Sequence, residues 1–378
     1  MFNPEAELIS ILKTAGVGFT ASLPCEKIKV LLEMIGSSFQ HLPLTREEEG
    51  VGICAGAALA GRRPAMFVQS SGIGNMLNAL LSLTQFYELP LALFVSQRGI
   101  YKERIAAQLP MGQRLPGILR GAGIPFTPVS SHRDFGKVRK KLGDLYAQNR
   151  VHAFLLSPST WEGSEAGTLS EKAAVRRQTS EIPRATVQKR IRPRLTRMDI
   201  IRSIAPHLAS KAVVCNLGIP SKELYAARHQ PSNFYMLGSM GMVTPIGLGI
   251  SLCTGKEVVV IDGDGSILMN PGTLATIACS SPRNLTIVGI DNSAYGSTGN
   301  QPTLTDGCID LENLARGFGI SNTVKVATAK DLRAAMKGGE KGPRFIHALA
   351  VPGNSDSPNI PLGHIAIKEQ VMRFLSGR

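Results

Sequence analysis

Two apolar stretches that each end in an acidic, glycine-rich turn constrain this chain more than any other feature. Residues 258–261 run into Asp262-Gly263-Asp264-Gly265, and residues 285–290 run into Asp291-Asn292-Ser293-Ala294-Tyr295-Gly296. Short continuous apolar runs bounded by turns read as strands buried on both faces, the habit of parallel sheets. Ligands collect at the carboxyl ends of such strands. Asp264 and Asn292 stand 28 positions apart, each at one of these ends. The Asp264 carboxylate, the Asn292 side chain and the Ala294 carbonyl form an oxygen set of the kind Mg²⁺ prefers, and Mg²⁺ commonly keeps phosphate oxygens among its ligands. Gly263 and Gly265 leave room for a phosphate, with Ser266 and nearby amides as donors at a helix N-terminus. Tyr295 and Gly296 close the second turn. A lone Gly-Asp-Gly is also an ordinary turn; the paired strands, the spacing and the second glycine cluster carry the reading.

Strands alternating with helices extend through the chain and predict an α/β fold. Helical patterns cover 4–16, with Leu8, Ile9, Ile11 and Leu12 on one face, then 26–35, 47–60 and 74–88. Extended segments are expected at 19–23, 41–44, 64–69, 91–96 and 151–156. The pattern restarts with helices at 197–208, 220–228 and 241–252, an extended segment at 212–217, and the two strands above. Helices at 309–318, 330–337 and 365–375 and a strand at 344–350 complete it. Two domains follow, residues 1–165 and 196–378, each a mostly parallel sheet flanked by helices. Residues 166–195 read as a linker.

The net charge is +14, yet residues 171–197 alone hold nine Lys or Arg against two acidic residues. Half the excess therefore sits in this stretch, nearly all of it within the linker, where aromatic residues for base stacking are sparse, so no nucleic-acid partner is expected. Six cysteines are scattered without CxxC spacing, which speaks against disulfides and structural zinc and for a reducing cytoplasm. No apolar run reaches membrane-spanning length, so no membrane partner is expected. The start of the chain lacks the basic n-region of a signal peptide.

The Gly-Asp-Gly to Asn292 arrangement resembles the cofactor motif of thiamin diphosphate (ThDP)-dependent enzymes, which ends at an asparagine pair. Asp291 replaces the first of that pair. The resemblance implies ThDP and Mg²⁺ as cofactors. It also implies roles for two further segments. In TREEEGVGICAGAALAGRRP (45–64), Glu48 matches the glutamate that hydrogen-bonds the cofactor's aminopyrimidine, with Glu47 and Glu49 as alternatives in the three-glutamate run. In Gly238-Ser239-Met240, Met240 matches the apolar wedge between the two cofactor rings, and Gly238 a backbone acceptor for the pyrimidine amine. Sites shared between chains would make a homodimer, or a homotetramer, the active form.

Over nearly its whole length the chain resembles the sulfopyruvate decarboxylase family. ASLPCEKIK (21–29), LTREEEGVGICAGA (44–57), QSSGIGN (69–75), LPLALFVSQRG (89–99), LGSMGM (237–242) and GNSDSPNIPL (353–362) carry the likeness. Phosphonopyruvate decarboxylases share most of this pattern. The implied reaction is the non-oxidative decarboxylation of a small anionic 2-keto acid, 3-sulfopyruvate, in coenzyme M biosynthesis. Phosphonopyruvate is the alternative substrate, and a catalytically inactive ThDP-fold partner the alternative from another class. Cys25, Ser71, Asn75, Gln97 and Arg98 are candidate substrate contacts, with Lys102 and Arg104 near them. An arginine fork suits sulfonate and phosphonate equally. His41, just ahead of Glu48, is the better candidate proton carrier, and His132 the other. A dinucleotide dehydrogenase is disfavoured, because Gly-Asp-Gly does not fit GxGxxG at a first strand–helix turn.

Overall fold

The computed structural model describes residues 3–165, 191–338 and 342–377. The chain divides into two compact units with the boundary between Thr179 and Ser180, apart from Leu59–Gly61, which groups with the second. That boundary and most of the expected linker lie outside the described residues. The first unit runs α1 (Pro4–Thr14), β1 (Val17–Ser22), α2 (Lys29–Ser38), β2 (His41–Pro43), α3 (Glu47–Leu59), β3 (Arg63–Gln69), α4 (Gly72–Ala79), β4 (Leu91–Ser96), α5 (Leu109–Gly121), β5 (Phe126–Val129), α6 (Phe135–Ala147) and β6 (Val151–Leu156). Its six strands lie in the order β2-β1-β3-β4-β6-β5, and every pair is parallel.

Local chemistry sets these elements. The Asn3 side chain accepts from the Ala6 N–H at 2.8 Å and Pro4 follows it, which starts α1 where its apolar face begins. All six residues of β4 and of β6 are buried, as central parallel strands require. Phe67, Phe94 and Phe154 occupy paired register positions on three neighbouring strands. Their rings stack at 4.8 and 4.7 Å between centroids. Each such pair contributes about 0.5–1.5 kcal/mol beyond burial.

The second unit runs α7 (Arg197–Ile204), β7 (Ala212–Cys215), α8 (Ile219–Ala227), β8 (Asn233–Tyr235), α9 (Val243–Cys253), β9 (Val258–Gly263), α10 (Asp264–Met269), α11 (Gly272–Ser280), β10 (Leu285–Asp291), β11 (Ala294–Tyr295), β12 (Gln301–Pro302), α12 (Leu311–Gly317), β13 (Asn322–Val326), α13 (Ala329–Lys337), β14 (Arg344–Leu349) and α14 (His364–Ser376). The main sheet has the order β13-β14-β10-β9-β7-β8 and is wholly parallel. Setting aside the small β11–β12 pair, this is the strand order of the first unit. In both units the chain steps outward to an edge strand and then crosses to the other side of the first strand. The crevice where it reverses lies between β1 and β3 in one unit and between β7 and β9 in the other. Ligands of open α/β sheets bind at such reversals.

The expected helices and strands form, with additions. Residues 109–147 hold α5, β5 and α6, where no element was expected; Pro110 and Pro116 obscure the helical pattern of α5. The helix expected over 74–88 is α4 followed by a π-helical stretch, Leu80–Gln85. The turns after β9 and β10 also continue into α10, α11 and the β11–β12 pair. Among the described residues no helix is long and apolar enough to cross a membrane.

The small-residue helix α9 is buried from Val243 to Ser251, and at Gly247 it packs directly against Val260 of β9. A Cβ there would stand 2.1 Å from Val260 Cγ2, whereas one at Gly255 would meet nothing within 4 Å. Gly247→Val is expected to destabilise the fold by about 1–3 kcal/mol through overpacking. Gly255→Ala serves as the neutral control, and urea unfolding of both variants checks the difference.

Candidate active site

In the second unit a cavity opens at the β7–β9 reversal. Asn216 and Leu217 line it from the end of β7, Gly263 to Ser266 from the end of β9, and Asn292 and Ala294 from the turn after β10. Parallel pairing of β9 with β10, Gly263 opposite Ile290, brings the two turns level. Asp264 is buried at the first residue of α10. The Asn292 side chain is buried too, and its Nδ2 has no hydrogen-bond partner among the described residues. A buried amide left unpaired calls for a partner, and an acceptor brought into this cavity by a ligand would supply one. Among the described residues no group of three His, Cys, Asp or Glu could hold a metal. The donor set here is instead one carboxylate, one amide and one backbone carbonyl, which suits a hard cation that shares phosphate oxygens. A Cβ on Gly265 would stand 2.4 Å from the Tyr295 ring, so the Gly-Asp-Gly turn is covered closely by the second turn.

The carboxylates are held by groups that carry no sequence motif. Thr303 Oγ1 donates to Asp264 Oδ2 at 2.6 Å. Thr305 Oγ1 lies 3.0 Å from the same oxygen and 2.7 Å from Asp291 Oδ1. Asp291 Oδ2 meets His347 Nε2 at 2.8 Å, and His347 Nδ1 stands 3.7 Å from Asp310. Burial, helped by the charge on Asp291, raises the Asp264 pKa above the usual carboxylate range. Burial opposes ionisation of Asp291 as well, but His347 and Thr305 outweigh it and lower its pKa. The same pairing holds His347 above the ordinary imidazole value despite its burial. Asp291 is thus a carboxylate held by His347 and Thr305, and the residue that departs from the asparagine pair braces the turn that carries Asn292.

Met240 also lines the cavity and is half-buried. Its segment is tied to α10, because the Gly241 N–H donates to Ser266 Oγ at 3.1 Å. Ser239, at φ 57, makes the left-handed step before Met240. Ser266 lines the cavity, but its hydroxyl is committed to this tie and to Asp262. Burial raises the Asp262 carboxyl to about 6. Gly296 lines the cavity from the far side of Tyr295. Gly238 is half-buried just ahead of these residues.

In the first unit the other candidates gather at the carboxyl end of the sheet. The three glutamates at the start of α3 have different surroundings. Glu49 is buried and its Oε1 accepts from both the N–H and the hydroxyl of Thr45, so it caps the helix. Glu48 is half-buried and faces Arg46 at 3.5 Å. Glu47 is buried, and its Oε2 accepts from Asn75 Nδ2 at 2.9 Å. Cys25 Sγ donates to Gln69 Oε1 at 3.4 Å and to Ser96 Oγ at 3.3 Å. Ser71 accepts from Gln69 Nε2, and Gln97 Nε2 donates to the Gly112 carbonyl. Arg98 is buried with its fork closed on Glu103, at 2.6 and 2.8 Å, and its Nη1 reaches Gln69 Oε1. The guanidinium expected to face an anionic substrate is therefore already paired, by an acid five residues on that no motif announced. Lys102 pairs with Glu162 at the surface. His41 lines a second, open cavity with Ser22, Cys25 and Lys29. Its Nδ1 meets Thr20 Oγ1 at 3.0 Å and its Nε2 meets Ser22 Oγ at 3.2 Å, and burial lowers its pKa. His132 lies apart, in the turn after β5.

Comparison with known proteins places this geometry in a class. The family model of the thiamine pyrophosphate enzyme C-terminal TPP binding domain matches residues 219–348. A benzoylformate decarboxylase structure from Polynucleobacter necessarius shares the fold, with TM-score 0.69, 13% identity and coverage of 93% of this chain and 99% of that one. The family model, with the two relatives that follow, defines a ThDP- and Mg²⁺-dependent carbon–carbon lyase of the 2-keto acid decarboxylase type. A sulfopyruvate decarboxylase from Methanosarcina acetivorans is 43% identical over 95% of this chain and 94% of its own length. A phosphonopyruvate decarboxylase from Streptomyces viridochromogenes is 32% identical over 94% of this chain and 90% of its own. The chain belongs to the sulfopyruvate decarboxylase family.

The buried Arg98–Glu103 pair gives a stability test. Its hydrogen bonds to Arg98 lower the Glu103 pKa to about 2. A depressed carboxylate stabilises the fold above its unfolded pKa, about 4.3, and that contribution is lost as pH falls towards the folded value. Glu103→Gln would leave the Arg98 charge buried without its partner, at a cost of about 3–5 kcal/mol. Urea unfolding at neutral pH should show the loss, and the gap from the parent protein should narrow between pH 4.3 and about 2.

Proposed function

We propose that the chain converts 3-sulfopyruvate to sulfoacetaldehyde and CO₂, supplying a precursor for coenzyme M. The observation that carries this reading is the 43% identity, end to end, to a sulfopyruvate decarboxylase, against 32% to a phosphonopyruvate decarboxylase. Both cofactor-binding halves are present in one chain, which speaks against an inactive partner. Bound ThDP supplies the electron sink for loss of CO₂. Asp264, Asn292 and the Ala294 carbonyl would hold the Mg²⁺, and the turn from Gly263 to Ser266 would receive the diphosphate. Met240, tied down through Gly241, would support the rings.

For the activating carboxylate we assign Glu47 ahead of Glu48. Glu49 is committed to its cap and Glu48 faces a cation, whereas Glu47 is buried and held by a neutral amide. A carboxylate in such surroundings can share a proton with a ring nitrogen without first breaking an ion pair. His41, whose charged form burial disfavours, is the candidate proton carrier. Cys25, Gln69 and Ser71 offer neutral donors and acceptors to the substrate, with Asn75 and Gln97 behind them. Arg98 acts through its held position rather than as a free cation. The family's shared sites make a homodimer the smallest active unit, and the six cysteines, all free, suit a reducing cytoplasm.

CO₂ release from sulfopyruvate and from phosphonopyruvate, measured in parallel with ThDP and Mg²⁺, tests the substrate. Faster release from sulfopyruvate is expected, and preference for phosphonopyruvate would overturn the assignment. Glu47→Gln should lower kcat by about 10²–10⁴-fold, while Glu48→Gln stays within severalfold of the parent. The reverse order would return the role to Glu48. His41→Ala should slow turnover and leave ThDP binding, read by calorimetry, unchanged.

A further inference from the structure

Arg197, the first residue of α7, is buried at 7% exposure, yet it lines the same cavity as Asp264 and Asn292. A guanidinium carries five N–H donors in a planar fork. Nε donates to Glu223 Oε2 at 2.7 Å, and Nη2 donates to Glu223 Oε1 at 3.2 Å and to Asn354 Oδ1 at 3.0 Å. Asn354 Nδ2 in turn donates to the Gly296 carbonyl at 2.8 Å. The Gly296 turn is held close, since a Cβ there would stand 2.5 Å from Asn354 Oδ1. Nη1 remains. It has no hydrogen-bond partner among the described residues and lies 3.5 Å from where that Cβ would be.

Glu223 offsets the charge of Arg197 and holds its fork in place. The two N–H groups on Nη1 are the part of the fork that no acceptor among the described residues occupies, and they lie at the wall of the cavity beside Gly296. The acceptor must fit the space beside Gly296, at the end of the cavity formed by the Gly-Asp-Gly turn. A phosphate oxygen meets both requirements, and a charge-assisted bond from arginine is its strongest partner.

We propose that Arg197 is a diphosphate-binding residue: Nη1 donates to a phosphate oxygen of ThDP while Nη2, through Asn354, fixes the Gly296 turn against it. This gives a role to the segment 353–362, which sequence likeness marked without explaining. The inference rests on the ThDP reading of this cavity and not on which keto acid is cleaved.

Calorimetric titration of the full chain with Mg²⁺ and inorganic pyrophosphate, and separately with Mg²⁺ and ThDP, tests it without any turnover. Arg197→Met should weaken both ligands about tenfold or more, and Asn354→Ala, which leaves the Arg197–Glu223 pair intact, about threefold. A folded Arg197→Met protein that binds Mg²⁺-pyrophosphate as the parent does would overturn the proposal. Should that variant fail to fold, Arg197→Lys decides. It keeps the charge but not the fork, and parent-like affinity in it would equally sink the idea. A parent protein that binds neither ligand would remove the ThDP reading itself, whereas one that binds both but leaves sulfopyruvate intact would touch only the choice of substrate.

Discussion

Two buried carboxylates a single hydroxyl apart are the constraint on which the second unit depends. Thr305 Oγ1 touches Asp264 on one side and Asp291 on the other, and both acids are buried. Like charges so placed raise the cost of ionising both. The fold answers by giving Asp291 a hydrogen-bond partner in His347, with Asp310 behind it, and by leaving Asp264 facing a cavity. The electrostatic demand is thereby concentrated on one carboxylate, at the position proposed for Mg²⁺ and a diphosphate. Arg197 meets the same cavity with its own charge already balanced by Glu223.

The parallel sheet makes this arrangement possible. Strands buried on both faces leave only their ends for chemistry, and the reversal of strand order at β7 and β9 parts the flanking loops there. The first unit repeats the topology and uses the same edge, where Cys25, Gln69, Ser96 and Arg98 meet and where α3 delivers its three glutamates. One architecture thus gathers the acidic, glycine-rich turns at the sheet end of one unit and the glutamates with their polar neighbours at the sheet end of the other.

Much of the site was legible because some of its chemistry is local. Gly263-Asp264-Gly265, Asn292 and Ala294 are adjacent to strands whose apolar character is visible residue by residue, and all of them line one cavity. The glutamate run was also visible, but not the register within it. That depends on Thr45 and Asn75, which lie on either side of the run in sequence and meet it only through folding. Arg98 shows the limit from the other direction. Its type and its place after β4 suggested an anion receptor, while its partner Glu103 follows in a loop whose path no periodicity encodes.

The sequence by itself determined the α/β class, the two-part organisation, the Gly-Asp-Gly turn and the family likeness, because each is written in short-range patterns or in contiguous segments. Tertiary structure alone decided which charges are free and which are spent. Thr303, Thr305, His347, Glu223 and Asn354 come from separate elements, and none sits in a spacing that signals its role. Hydrogen bonding between buried groups acts over about 3 Å in space and is indifferent to separation along the chain. For that reason the pairing of Asp291 with His347, and the one unused nitrogen of Arg197, exist only once the strands have been laid side by side.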